Sequence, residues 1–399
     1  MTELPKMQRI ALVSNAFTPS APIDDLDLFA GRNAQAQEVI GAVTQKGQHA
    51  AVYGERGVGK TSLANVLTDI FKDASLPSFV SVKVNCQTDD DFSSLWRGVF
   101  RELEIDDSPR LSPEDVRFRL ASVPSPALII IDELDRLEDD SALTSLADAV
   151  KAFSDHAISS TLVLVGVAQS VAELIGEHQS IARALVRVHM PRMSRSELQE
   201  ILEKGCDRAR LSAQTTAIDE ITLLSRGLPH FAHLLGFHAG TQAVADDRHE
   251  VTVSDVKRAL PRAVKNHIVE SDYHRAVHSS HGDALYASVL MACALSRQDQ
   301  FGYFTAGAVR EPLQVIAGRY IDIPAFARHL SQFLEVGRGS VLQRTGSPRR
   351  YLYRFSDPIL QTYTVLNGLA QGKISVGQVR SLESDIPLDD EPNEPESLF

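Results

Sequence analysis

An eight-residue stretch, Gly54-Glu55-Arg56-Gly57-Val58-Gly59-Lys60-Thr61, leaves few folds open to this chain. It follows the apolar run Ala50 to Tyr53 and precedes the helix-like SLANVLTDIF, so it reads as a strand, a glycine-rich loop and a helix. Glycines at this spacing let successive backbone N–H groups converge on an anion. The lysine can then reach the outer phosphates of a nucleotide, and the hydroxyl can hold Mg²⁺. Gly54, Glu55, Arg56, Gly57, Val58, Gly59, Lys60, Thr61 and the adjoining Ser62 are therefore candidate nucleotide ligands, with Thr61 also a candidate metal ligand.

Short apolar runs recur through residues 48–190 as QHAAVYG, FVSVKVN, ALIIIDE, TLVLVGV and VRVHM, alternating with helical patterns. Continuous runs of this kind suit strands buried on both faces, so the expected fold class is α/β: a P-loop parallel sheet with helices on both faces. Residues 1–190 form the expected nucleotide-binding core. Residues 191–265 turn helical, with a capping-box signature at Ser194 and Glu197, and read as an all-α lid. The polar, histidine-rich stretch 266–282 is expected to be a linker. His274 and His278 have the i, i+4 spacing of a helical metal pair, but no cysteine or ordered acidic cluster accompanies them. Residues 283–375 run helix, helix, helix and then SVLQRTG, the turn Gly346-Ser347-Pro348 and RRYLYRF, the order of a winged helix-turn-helix with a β-hairpin wing. Residues 376–399 are acidic, contain proline and are expected to be a disordered tail.

The strand Ala127-Leu-Ile-Ile-Ile ends in Asp132 and Glu133. In a protein with a phosphate loop, an acid ending a neighbouring strand assists Mg²⁺, and a second acid beside it can polarise the attacking water. Asp132 is the candidate metal ligand and Glu133 the candidate catalytic base.

With these motifs the sequence resembles the AAA+ ATPases, and within them the initiator-like group that includes origin-recognition proteins and archaeal replication initiators. The resemblance spans roughly residues 25–370 and rests on Phe29-Ala30-Gly31-Arg32, like the entry motif beside the adenine pocket, on the phosphate loop, on IIIDELD at Ile129 to Asp135 and on the terminal winged helix. It implies an ATPase that uses ATP and Mg²⁺, with Lys60 and Glu133 catalytic. By the same resemblance Gln169 stands where the family has an asparagine sensing the γ-phosphate. Arg183 stands where an arginine finger reaches a neighbouring subunit, which would make the protein a homo-oligomer; Arg187 competes for that role. His230 occupies the place of a sensor arginine in the lid, and a capping or packing role is the alternative reading for it.

Net charge is −12 but unevenly spread. Residues 1–255 carry 24 Lys+Arg against 37 Asp+Glu, residues 256–380 carry 16 against 8, and the last nineteen carry none against 7. The basic middle region coincides with the expected winged helix. There Arg328 and Gln332, with His329, line the candidate recognition helix Asp322 to Val336, and Arg344, Arg349 and Arg350 lie on the wing. Cations so placed would neutralise phosphates of double-stranded DNA. Many winged helices instead bind a protein partner, as a nucleotide-gated signalling or defence ATPase would require, and Tyr351, Tyr353 and Phe355 read as hairpin core. No apolar stretch approaches the roughly 20 residues of a membrane span, no secretory leader is evident, and Cys86, Cys206 and Cys293 lack metal or disulfide spacing. A cytoplasmic protein is expected.

Overall fold

The five apolar runs become the five strands of one sheet. The computed structural model describes residues 4–72, 79–105, 110–167, 171, 181–279, 285–299, 301–348 and 350–384. Two compact units emerge, residues 20–201 and residues 1–19 with 202–398.

In the first unit the strands are β1 (His49–Gly54), β2 (Val80–Asn85), β3 (Ala127–Asp132), β4 (Thr161–Gly166) and β5 (Leu185–Met190). They lie in the order β2-β3-β4-β1-β5 and all their pairings are parallel, with the mostly apolar β1, β3 and β4 in the middle and the partly exposed β2 and β5 at the edges. Ala127, Ile129, Ile131, Leu162 and Leu164 face a core with Trp96, Phe100, Val116, Leu146 and Phe153 from the helices Phe92–Glu102, Pro113–Ala121 and Asp140–Asp155. The alternate residues Leu128, Ile130 and Val163 are equally buried, and the helices Asn33–Thr44 and Lys60–Lys72 pack on the strands. One detail differs from the sequence expectation. β3 does not adjoin β1, because β4 lies between them. The acids that end β3 therefore stand two strands from the glycine-rich loop.

The second unit is mostly helical. Its N-terminal helix, Lys6–Ala16, was expected in the nucleotide-binding core but packs here with the helices Arg195–Ala209 and Pro229–Ala245. The reason is steric: a Cβ at Gly205 or Gly236 would overlap the Phe17 ring, and one at Gly240 would crowd Val13. Absent side chains at three positions make the seat for this helix. The short strands β6 (Ser212–Ala213) and β7 (Glu250–Val251) pair in parallel.

Beside them, Asp255 is fully buried and its carboxylate accepts from Arg248 at 2.5 and 2.7 Å, from Arg258 at 2.8 Å and from Thr252 at 2.8 and 2.9 Å. Burial pushes its pKa up, but the Arg248 and Thr252 bonds outweigh this and hold it at about 2, against an ordinary 3.8. The stability this contributes is complete above pH 3.8 and is lost as pH falls through about 2. Asp255→Ala is expected to cost roughly 2–3 kcal/mol at neutral pH, since Arg248 and Arg258 lose their buried carboxylate and keep only the more exposed Asp246 and, for Arg248, the Glu250 carbonyl, and urea denaturation would measure it. An unchanged midpoint would refute this role.

The stretch 266–282 is not the plain linker expected. Its residues Glu270–Val277 form a helix that buries Tyr273 and Ala276, with Tyr273 edge-on to Tyr363 at 5.6 Å. His274 sits 3.7 Å from Glu270 in the same helix, and among the described residues no group of three His, Cys, Asp or Glu could hold a metal. The C-terminal module runs helix Leu285–Leu295, strand β8 (Phe304–Thr305), helices Arg310–Ala317 and Ile323–Gln332, then β9 (Leu342–Thr345) and β10 (Leu352–Phe355), in a sheet ordered β8-β10-β9. Tyr353 and Phe355 are buried in it, Tyr353 stacked on Phe304. The helix Pro358–Ala370 is buried almost all round, so the module and the lid helices share one core. A last helix, Val376–Ser384, occupies the start of the region expected to be disordered, with Val379 buried and Glu383 paired to Arg226 at 2.8 Å. Residues 385–399 of that tail lie outside the described residues. Among the described residues no helix is long and apolar enough to cross a membrane.

Candidate functional site

β1 ends at Gly54, which is packed so tightly against β5 that any side chain would overlap the Met190 carbonyl. Gly57 and Gly59 have φ of 85° and 98°, which a residue with a Cβ rarely adopts. They turn the loop so that the helix Lys60–Lys72 starts at Lys60 with Thr61 and Ser62 in its first turn. A helix N-terminus with converging N–H groups is a place for an anion. Lys60 donates to the Gly54 and Glu55 carbonyls at 3.0 and 2.9 Å, which holds its ammonium inside the loop. Burial lowers its pKa, while Asp135 and Asp132 act to raise it.

Two further ties fix the loop. Glu55 accepts from Arg192, just after β5, at 2.6 Å. Arg32, only 1% exposed, donates to Val58 O at 3.1 Å and Pro191 O at 2.6 Å, with Glu197 at 3.6 Å. Arg32 belongs to the Phe29-Ala30-Gly31-Arg32 motif, and in this structure its guanidinium braces the loop. Glu197 also closes the capping box with Ser194, their reciprocal bonds measuring 2.7 and 3.2 Å.

At the end of β3, Asp132 is 2% exposed. Its Oδ1 accepts from the Glu133 amide at 2.8 Å, whereas the buried Oδ2 accepts no hydrogen bond and faces the Lys83 ammonium at 3.2 Å. Glu133 has φ 58° and ψ 41°, a left-handed conformation uncommon for a residue with a side chain and often found at working sites. It turns the chain off the strand into the short turn Leu134–Arg136, leaving its carboxylate 42% exposed and 3.0 Å from Arg136. An exposed i, i+3 pair of this kind is weak, so the carboxylate is free to reorient.

The remaining candidates are scattered. Arg183 is 82% exposed, 3.6 Å from Asp155, and Arg187 is also exposed. Gln169 lies outside the described residues, as does Arg349. In the second unit, His230 Nδ1 is 2.9 Å from Pro19 O and its Nε2 is 3.0 Å from His267 Nε2, with His267 stacked on Phe231. Burial lowers the pKa of both imidazoles, that of His267 to about 4. Both ring nitrogens of His230 are engaged in this packing. On the helix Ile323–Gln332, Arg328 is exposed, but His329 is buried against Tyr286 and Gln332 accepts from the Tyr286 hydroxyl. Arg344 and Arg350 are exposed, the Arg344 guanidinium lying over the Tyr351 ring at 4.2 Å.

Sequence reasoning missed Lys83, Arg192 and the bracing role of Arg32. Only Lys83 left a local signal, as a charge inside the otherwise apolar and small strand VSVKVN.

Residues 43–175, which hold the loop and the acids that end β3, match the family model described as AAA domain. Over that stretch, about a third of the chain, the sequence is similar to AAA domains. No curated protein matches it by sequence. Among solved structures, the Walker-type ATPase of Pyrococcus abyssi is similar at TM-score 0.50 and 16% identity, covering 87% of this chain and 99% of that one. Cdc6p from Pyrobaculum aerophilum is similar at 0.48 and 17%, covering 90% and 98%. The Aeropyrum pernix Orc1 protein, determined in complex with DNA, is similar at 0.49 and 16%, covering 90% and 96%. At such identities the likeness to the P. abyssi ATPase describes a shared fold. Any account of chemistry therefore rests on this chain's own residues.

The donors present suit a nucleotide with Mg²⁺. The buried Asp132 Oδ2, without a hydrogen bond, and the Thr61 hydroxyl are hard oxygen donors that would suit this ion, since one carboxylate with substrate phosphates is the usual way proteins hold it. The cradle at Gly57 and Gly59 suits the phosphates.

Proposed function

We propose that the protein is an Mg²⁺-dependent ATPase that acts as a switch on double-stranded DNA through a winged helix at residues 283–375. The observation that carries the ATPase reading is the convergence, in one unit, of the glycine turn, Lys60 and Thr61 with the acids Asp132 and Glu133 two strands away. The loop amides and Lys60 would bind the β- and γ-phosphates, Thr61 and Asp132 would hold the metal, and Glu133 would orient and deprotonate the water. When bound, Mg²⁺ neutralises phosphate charge. Arg183, exposed at the edge of the core, is the residue proposed to complete a neighbouring subunit's site.

DNA binding is supported by the +8 balance of residues 256–380 and by the exposure of Arg328, Arg344 and Arg350. With His329 buried and Gln332 bonded to Tyr286, these cations favour phosphate contacts over reading of base edges. The same loss of polar reach favours a second reading, in which the module binds a protein partner and the ATPase serves signalling or defence.

Fluorescence anisotropy of labelled duplex DNA, with ATP or ADP and across a salt series, separates the two. Binding is expected to fall steeply with salt and to weaken about tenfold in Arg344→Ala/Arg350→Ala. Absence of binding at low salt in both nucleotide states would overturn the DNA reading in favour of the protein partner.

A further inference from the structure

Lys83 points from the middle of β2 to the end of β3, where its ammonium lies 3.2 Å from Asp132 Oδ2. On its other side it donates to Asn65 Oδ1 at 2.7 Å, one turn along the helix from Thr61. Asn65 is itself held, donating through Nδ2 to Ile23 O at 3.3 Å. The lysine side chain is 19% exposed and is thus fixed between two acceptors rather than waving in solvent. Such placement costs desolvation and side-chain entropy. It sets a positive charge on the Asp132 oxygen that has no hydrogen bond, the oxygen of that carboxylate best suited to a divalent ion.

We propose that Lys83 is a built-in counter-ion of Asp132, which makes nucleotide binding less dependent on Mg²⁺ and raises the Mg²⁺ concentration needed to load the site. The inference rests on the nucleotide-binding reading above. Without metal, Asp132, Glu133 and Asp135 would repel incoming phosphates, and Lys83 offsets the most buried of the three. With metal, the ammonium must give up or share Oδ2, and two like-signed cations compete for one carboxylate. Lys83 acts through Asp132 and is a positioning residue rather than a catalytic one.

The test follows a fluorescent ATP analogue by anisotropy on the full chain, in EDTA and in a Mg²⁺ titration. For Lys83→Met, affinity in EDTA is expected to fall on the order of tenfold, while the Mg²⁺ concentration giving half the metal-dependent change falls by a similar factor. Lys83→Arg, which keeps the charge, should stay close to wild type. Asn65→Ala, which frees the ammonium without removing it, should shift both quantities in the same direction by less, and it serves as the readout if Lys83→Met fails to fold. Superimposable Mg²⁺ curves for wild type and Lys83→Met would overturn the proposal, and so would Lys83→Arg shifting as far as Lys83→Met. If wild type binds no nucleotide with or without Mg²⁺, the ATPase reading itself fails. If wild type binds and responds to Mg²⁺ but the variants match it, only the counter-ion role fails.

Discussion

Lys60→Met is expected to abolish measurable ATP binding. The ammonium is held inside the loop by the Gly54 and Glu55 carbonyls at 3.0 and 2.9 Å, and a bound phosphate would take over those bonds. Burial lowers its pKa, which is the electrostatic cost of keeping a cation ready there, and Asp135 and Asp132 offset part of it. Methionine fills similar space but leaves two carbonyl oxygens and the acids of the β3 end facing the phosphates. Charge-assisted hydrogen bonds contribute roughly 1.5–3 kcal/mol each, so loss of two implies affinity lower by on the order of 100-fold or more. Titration calorimetry with ATP would show this, with circular dichroism confirming the fold. Retained affinity would mean that the loop does not hold the nucleotide.

Glu133→Gln is expected to leave ATP binding in place and to reduce turnover by about 10²–10⁴-fold, the range for loss of a general base. Glu133 is held at φ 58° by the turn that follows β3, and among the described residues its carboxylate pairs with the half-exposed Arg136. A glutamine keeps the shape and a hydrogen bond to water but cannot accept its proton. Single-turnover hydrolysis, measured beside nucleotide affinity, separates the two effects. Turnover equal to wild type would remove Glu133 from the chemistry and shift attention to Asp135, which stands two residues on.

The glycine loop could be read in the sequence because its information is local. The positive φ values of Gly57 and Gly59 and the helix that starts at Lys60 are consequences of eight consecutive residues. The parallel sheet was equally legible, since central strands buried on both faces must be mostly apolar, as the runs Ala127–Ile131 of β3 and Leu162–Val165 of β4 are. The stretch 266–282 misled for a related reason. Its helix Glu270–Val277 buries only one face, so polar composition concealed the buried pair Tyr273 and Ala276.

The sequence by itself therefore determined a strand, a glycine-rich loop and a helix, the acids at the end of a second strand, and a basic region rich in arginine. The tertiary structure alone decided that β4 separates β1 from β3 and that the N-terminal helix seats on Gly205 and Gly236. It alone decided that Arg32 braces the loop and that Lys83 faces Asp132. The division has one physical cause. Backbone conformation is set largely by neighbours along the chain, whereas the partner of a charged side chain is set by strand order and close packing, and nothing in the spacing of Lys83 and Asp132 along the sequence announces that their charges meet.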